Sequence, residues 1–155
     1  MTRWLAARQN GIAKDRNLLH SANAKVYHAC EVNLVWQAME LAEPSITTDV
    51  IPHVNTDLIS YSAWDTKNSP QKFSRALEFI AKHHHSKAAK NFNKIYVVEF
   101  GVPESESTPS EAYERAKQLT ERARAFGCPY AIYWQLYCSE PLNSQPKTNS
   151  DFKGF

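Results

Sequence analysis

Apolar positions along the chain follow two alternating periods: short β-branched or aromatic runs, and longer stretches in which apolar residues return every three or four positions. The clearest run is Ile95-Tyr96-Val97-Val98, closed abruptly by Glu99, Phe100 and Gly101. It has almost no polar alternation, which predicts a parallel strand covered by helices on both faces. Val26 to Cys30, ending in Glu31, Val32 and Asn33, predicts an earlier strand. Asp57 to Tyr61 predicts another, running into Ser62, Ala63, Trp64 and Asp65. Tyr130 to Leu136 predicts the last, carrying Trp134 and Gln135.

The helical stretches lie between these runs. Thr2 to Leu19 has a moderate helical pattern broken at Gly11, and Pro44 to Val54 predicts a short helix truncated by Pro52, after a loop holding Trp36 and Met39. Ser69-Pro70 is a strong helix start, with Phe73, Ala76, Leu77 and Ile80 on one face. Thr108-Pro109-Ser110-Glu111 matches a capping box, and Gly127 supplies the stop. The order is therefore helix, then strand and helix three times, then strand, with crossovers long enough for right-handed parallel connections. All four strands then end at one edge of the sheet. That edge gathers Glu31 and Asn33, Trp64 and Asp65, Glu99, and Trp134 and Gln135. Active sites of parallel α/β folds sit there, and a buried carboxylate costs several kcal/mol unless it is paired or works at an open cleft, so Glu99 is the leading functional candidate.

Composition narrows the classes. The 155 residues, 43% of them hydrophobic and 22% charged, suit one soluble globular domain. A net charge of +2 with scattered basic residues lacks the stripe of a nucleic-acid binder. No segment is long enough to span a membrane and the N-terminus lacks the apolar run of a signal peptide, which leaves localisation open. Cys30, Cys128 and Cys138 have no metal-ligand spacing and read as buried free thiols. His83, His84 and His85 close a helix, where consecutive side chains diverge and chelate poorly. No metal or cofactor is expected.

Val-Val-Glu-Phe-Gly-Val-Pro, followed one helix later by Ala-Ile-Tyr-Trp-Gln-Leu-Tyr, resembles strands seven and eight of the (β/α)8 glycoside hydrolases that carry two catalytic glutamates on strands four and seven, as in cellulases and mannanases. The resemblance runs from about Lys25 to Glu140. It implies that Glu99 is the nucleophile and that Trp134 stacks on the sugar. Ser60-Tyr61-Ser62-Ala63-Trp64 is similar to strand six, where relatives often have His, one residue, then a Tyr bonded to the nucleophile; here those places hold Ser62 and Trp64. The clan's acid/base glutamate follows an Asn, and no Asn-Glu pair occurs in this sequence. Glu31 and Asn33 then belong to strand five as substrate-binding or supporting residues.

A whole barrel runs to about 250 residues and eight strands. The expectation is therefore α/β, with residues 1–142 forming the C-terminal half of a TIM barrel and residues 143–155 a loosely ordered tail. The implied activity is retaining hydrolysis of O-glycosidic bonds with the acid/base half missing, the partners being a carbohydrate and either a second copy or an N-terminal half-barrel. Trp64 and Trp134 are candidates for a sugar platform, since a flat ring covers the apolar face of a sugar; core packing is the alternative for each, and the expected role of Tyr61, Tyr133 and Tyr137. The alternative functions are a non-catalytic carbohydrate-binding remnant and an unrelated parallel α/β enzyme using Glu99 as a base.

Overall fold

Four parallel strands lie side by side in chain order: β1 (Ala29–Val32), β2 (Leu58–Ser62), β3 (Ile95–Phe100) and β4 (Ala131–Tyr133). The computed structural model describes residues 2–21, 27–54, 56–84, 94–103 and 106–134; Gln135, Tyr137, Cys138 and the tail 143–155 lie outside them. Helices α1 (Thr2–Ser21), α2 (Val35–Leu41), α3 (Pro70–His83) and α4 (Pro109–Phe126) complete the α/β architecture. Among the described residues no helix is long and apolar enough to cross a membrane.

The strands alternate faces, and the two faces differ. Cys30, Val32, Ile59, Tyr61, Ile95, Val97 and Phe100 form one buried cluster with Val35 of α2, Phe73, Ala76, Leu77 and Ile80 of α3, and Leu119 and Ala123 of α4. Helices α2, α3 and α4 therefore cover the same face. The opposite face carries Glu31, Ser60, Ser62, Tyr96 and Ile132. Among the described residues the helices that pack on the sheet core, α2 to α4, lie on one face, to which Ile95 and Val97 point, while Tyr96 lies on the other side, edge-on to Tyr130 at 6.3 Å.

Several boundaries move. The segment holding Trp36 and Met39 is helix α2, not a loop. Its first turn is anchored by the Trp36 amide, which donates to Asp65 Oδ2 at 2.6 Å, while Lys72 and Arg75 lie 4.8 and 5.0 Å from the Trp36 ring centre. These are tertiary contacts, invisible to local periodicity. The expected helix from Pro44 to Val54 is a π turn over Ile46–Val50 followed by a 3-10 turn over Ile51–His53. Helix α1 runs straight through Gly11, where an added Cβ would meet nothing within 4 Å; glycine there costs only about 1 kcal/mol of helix propensity. β1 extends through Val32, so Glu31 lies within the strand.

Tyr61 packs as expected. Its ring stacks on Phe73 at 6.0 Å, and its hydroxyl lies 2.9 Å from both Asp65 Oδ1 and Thr66 Oγ1. Burial first, and the Asp65 charge second, raise its phenol far above the ordinary range. The Cys30 and Cys128 thiols are free; Cys30 is raised by burial and by neighbouring Glu31, and burial pushes Cys128 up to about 12.

Both helix starts read from sequence are present. Ser69 Oγ accepts from the Lys72 amide at 3.3 Å, and Thr108 and Glu111 cap each other at the start of α4, which stops at Gly127 with φ 93°. The Thr108 amide and hydroxyl both donate to Glu111, holding its carboxyl below the usual value. Thr108→Ala is expected to cost about 1 kcal/mol, or about 3 °C in Tm by thermal denaturation at pH 7. Because the folded value of Glu111 is depressed, its stabilisation is full above the unfolded carboxylate range and fades as pH falls through the folded value. The gap between variant and wild type should narrow on acidification.

Candidate functional site

The site begins with an irregularity in β3. Tyr61 pairs with Val97, but the next residue, Ser62, pairs with Glu99, so Val98 is skipped. Two residues of β3 oppose one of β2, and both Val98 and Glu99 are half-buried. Such a bulge re-aims the side chain that follows it. Here it puts Glu99 on the face of Ser62, opposite the helices, while Phe100 returns to the core.

Glu99 is held at both ends. Its carbonyl accepts the Ala63 amide at 2.7 Å, and its Oε2 accepts the indole Nε1–H of Trp64 at 2.8 Å. Trp64 can reach because the chain leaves β2 in a single 3-10 turn, Trp64–Thr66. The indole N–H engages one carboxylate oxygen and leaves the other for a ligand. One strand away, buried Ser62 donates its hydroxyl to Glu31 Oε1 at 2.6 Å. Glu31 and Glu99 thus flank Ser62 on one face of the sheet.

Gly101 closes this edge against β4. The Trp134 amide donates to Phe100 O at 2.7 Å, and the Trp134 carbonyl passes so near Gly101 that an added Cβ would stand 2.1 Å from its oxygen and 3.2 Å from Trp64 Cη2. Only glycine admits both neighbours. Trp134 is 50% exposed. Tyr133 turns inward as expected, edge-on to Phe100 at 5.3 Å with its hydroxyl accepting the Val102 amide at 3.2 Å. Beyond the edge, Lys67 bonds Glu106 at 2.7 Å, tying the loops after β2 and β3 together, and Arg115 of α4 bonds Asn68 of the loop after β2 at 3.0 Å. The Lys67 ammonium holds the Glu106 carboxyl below its ordinary value.

The structure thus brings together Glu99 with Trp64, and Glu31 with Ser62, and places Trp134 at the next strand end. Asn33 stands apart. It is exposed and lines a cleft of about 480 Å³ with Leu34, Gln37, Pro44, Ile46 and Asp49, and neither Glu99 nor Trp64 is among the walls. That cleft lies beside the β1 edge, away from the clustered carboxylates. Among the described residues no three His, Cys, Asp or Glu side chains converge as a metal ion would require. His83 lies tilted against the Phe79 ring at 4.4 Å and places Nδ1 2.8 Å from the Phe79 carbonyl.

Two features of the site are added by the structure: the Ser62 to Glu31 bond and the part of Gly101. The first had a legible signal, since Ser60 and Ser62 are polar at alternate positions of an otherwise apolar strand. The second depends on how near β4 approaches. No family model, curated protein or solved structure matches the chain.

Proposed function

We propose that this chain is the C-terminal half of a (β/α)8 barrel and belongs to a retaining glycoside hydrolase, with Glu99 as the carboxylate that attacks the anomeric carbon. The carrying observation is the bond from Trp64 Nε1 to Glu99 at the edge where all four parallel strands end. In the family that the last two strands resemble, a tyrosine at the place of Trp64 serves the nucleophile; here the indole makes that bond. Strand order without reversal and helices α2 to α4 on one face support the half-barrel, because a doubly wound sheet reverses its order and places helices on both faces.

In this reading Trp134 offers its open ring to the sugar, while Glu31, steadied by Ser62, accepts hydrogen bonds from sugar hydroxyls. Asn33 completes the substrate-binding set only if a sugar extends toward the β1 edge. Trp64 acts chiefly through Glu99, with its ring edge beside Gly101. A retaining reaction also needs an acid about 5 to 5.5 Å from the nucleophile, and the chain has no Asn-Glu pair to supply one. That absence favours a second reading, a carbohydrate-binding remnant that does not turn over.

Leaving-group dependence separates the two. Lacking a general acid worth about 10² to 10⁴ in rate, the purified chain is expected to release an activated nitrophenol from aryl glycosides slowly and to leave unactivated oligosaccharides intact. A chain that binds sugars yet releases no nitrophenol above the level of Glu99→Gln is the remnant. Efficient cleavage of an oligosaccharide would place an acid within these 155 residues, Glu31 first.

A further inference from the structure

The cleft of about 480 Å³ beside the β1 edge has no part in the chemistry proposed for Glu99. Much of its lining is apolar: Leu5 of α1, Val50 of the π turn, and Leu34 and Ile46, which stay 54% and 38% exposed. Its charge has one sign. Among the described residues Glu43 and Asp49 are the charged side chains of the cleft, and no lysine, arginine, histidine or aromatic ring lines it.

The two carboxylates are not neutralised by the fold. Asp49 Oδ1 takes the Thr48 hydroxyl at 3.0 Å, which leaves Oδ2, and among the described residues neither Asp49 nor exposed Glu43 is paired with a cation. Both acids also border an adjoining cleft of about 390 Å³ on the side of Phe79 and His83. His83 there holds Nδ1 2.8 Å from the Phe79 carbonyl and bonds to neither acid. The acids therefore stand where two concavities meet, on a surface that otherwise offers apolar contact.

We propose that this cleft binds a small primary ammonium ligand with an apolar body, the ammonium held by Glu43 and Asp49 and the body laid along Leu34, Ile46 and Val50. This is independent of the glycosidase reading. Charge complementarity selects a cation, because an anion would meet two carboxylates and a neutral ligand would leave them uncompensated. The lining narrows the cation. A quaternary ammonium is recognised by aromatic faces, and a sugar by a flat ring beneath it, and neither is offered here. A primary ammonium brings three N–H donors, for which the two carboxylates and the side-chain carbonyls of Asn33 and Gln37 are acceptors on the same cleft. Size points to a small molecule. The volume falls within the range of small-ligand sites, about 300 to 1,000 Å³, whereas a stable protein partner needs a face of about 20 to 30 residues.

Amide proton–nitrogen correlation spectra of the full chain, titrated with phenethylammonium and with phenethyl alcohol, its uncharged counterpart, test this. The ammonium is expected to shift amides between Asn33 and Val50 saturably, with an affinity about tenfold or more above that of the alcohol. Glu43→Gln and Asp49→Asn should each weaken the ammonium about tenfold and leave the alcohol unchanged, while Ile46→Ser should weaken both. Both acids lie outside the buried core, so the rest of the spectrum should keep its positions and report an intact fold. Equal affinities for ammonium and alcohol, the absence of saturable shifts, or a Glu43→Gln/Asp49→Asn double variant that binds as wild type would each overturn the proposal. Shifts centred on Glu31 and Glu99 would place the cation at the candidate active site and overturn it as well, leaving the reading of Glu99 untouched. Tighter binding of a lysine-containing tripeptide at the same amides would make the occupant a basic segment of another protein, which also overturns it.

Discussion

Glu99→Gln, in a barrel completed around this chain, is expected to lower kcat by three orders of magnitude or more while leaving Tm within about 2 °C. The amide keeps the shape of the carboxylate, and its carbonyl oxygen can still accept the Trp64 indole N–H that Glu99 accepts at 2.8 Å. It cannot form the glycosyl ester on which a retaining mechanism depends, so the loss belongs to the chemical step and not to folding. Steady-state rates on an aryl glycoside, read beside a thermal melt, separate the two. A variant within tenfold of wild-type kcat would show that Glu99 is a supporting residue.

Gly101→Ala is expected to destabilise the fold by about 3 kcal/mol, the upper part of the range for forcing atoms into filled space. The reason is that the obstructing atom is backbone. A Cβ 2.1 Å from the Trp134 carbonyl oxygen cannot be accommodated by rotating a side chain; β4 must shift, or the indole of Trp64, 3.2 Å away, must swing out. Either movement disturbs Glu99, the first by straining the Phe100 to Trp134 bond and the second by withdrawing its indole donor. Denaturant unfolding should show the lower midpoint with unchanged slope. In a functional barrel kcat should fall with it. A variant as stable as wild type would mean that β4 does not approach Gly101 so closely.

The parts of this structure legible in the sequence are those set by local rules. Ser69-Pro70 and Thr108 to Glu111 announced their helices because a cap is satisfied by residues three positions away. The β-branched runs announced strands, and their order announced a parallel sheet. The bulge at Val98 was not legible. An apolar run without alternation carries no information about which face each residue takes, so neither the skipped residue nor the direction of Glu99 could be read from it. Helix α2 was missed because it is short, starts from Leu34 at φ 49° without a side-chain cap, and is held by Asp65, 29 residues beyond Trp36. At the candidate site the sequence supplied Glu99, Trp64, Trp134 and Glu31 as strand ends, but not their pairing. Which hydroxyl or indole reaches which carboxylate depends on the register between strands.

The most direct measurement of the central claim is covalent trapping on the residue itself. A series of activated 2-fluoro aryl glycosides of several sugar configurations would be incubated with the chain, and the product digested and mapped by mass spectrometry. The electron-withdrawing fluorine slows breakdown of a glycosyl ester, and the activated leaving group needs no acid from the protein. The account predicts one sugar adduct, with release of one equivalent of phenol, on the peptide containing Glu99 and lost in Glu99→Gln. An adduct on Glu31 or another carboxylate, or labelling that persists undiminished in Glu99→Gln, would contradict it.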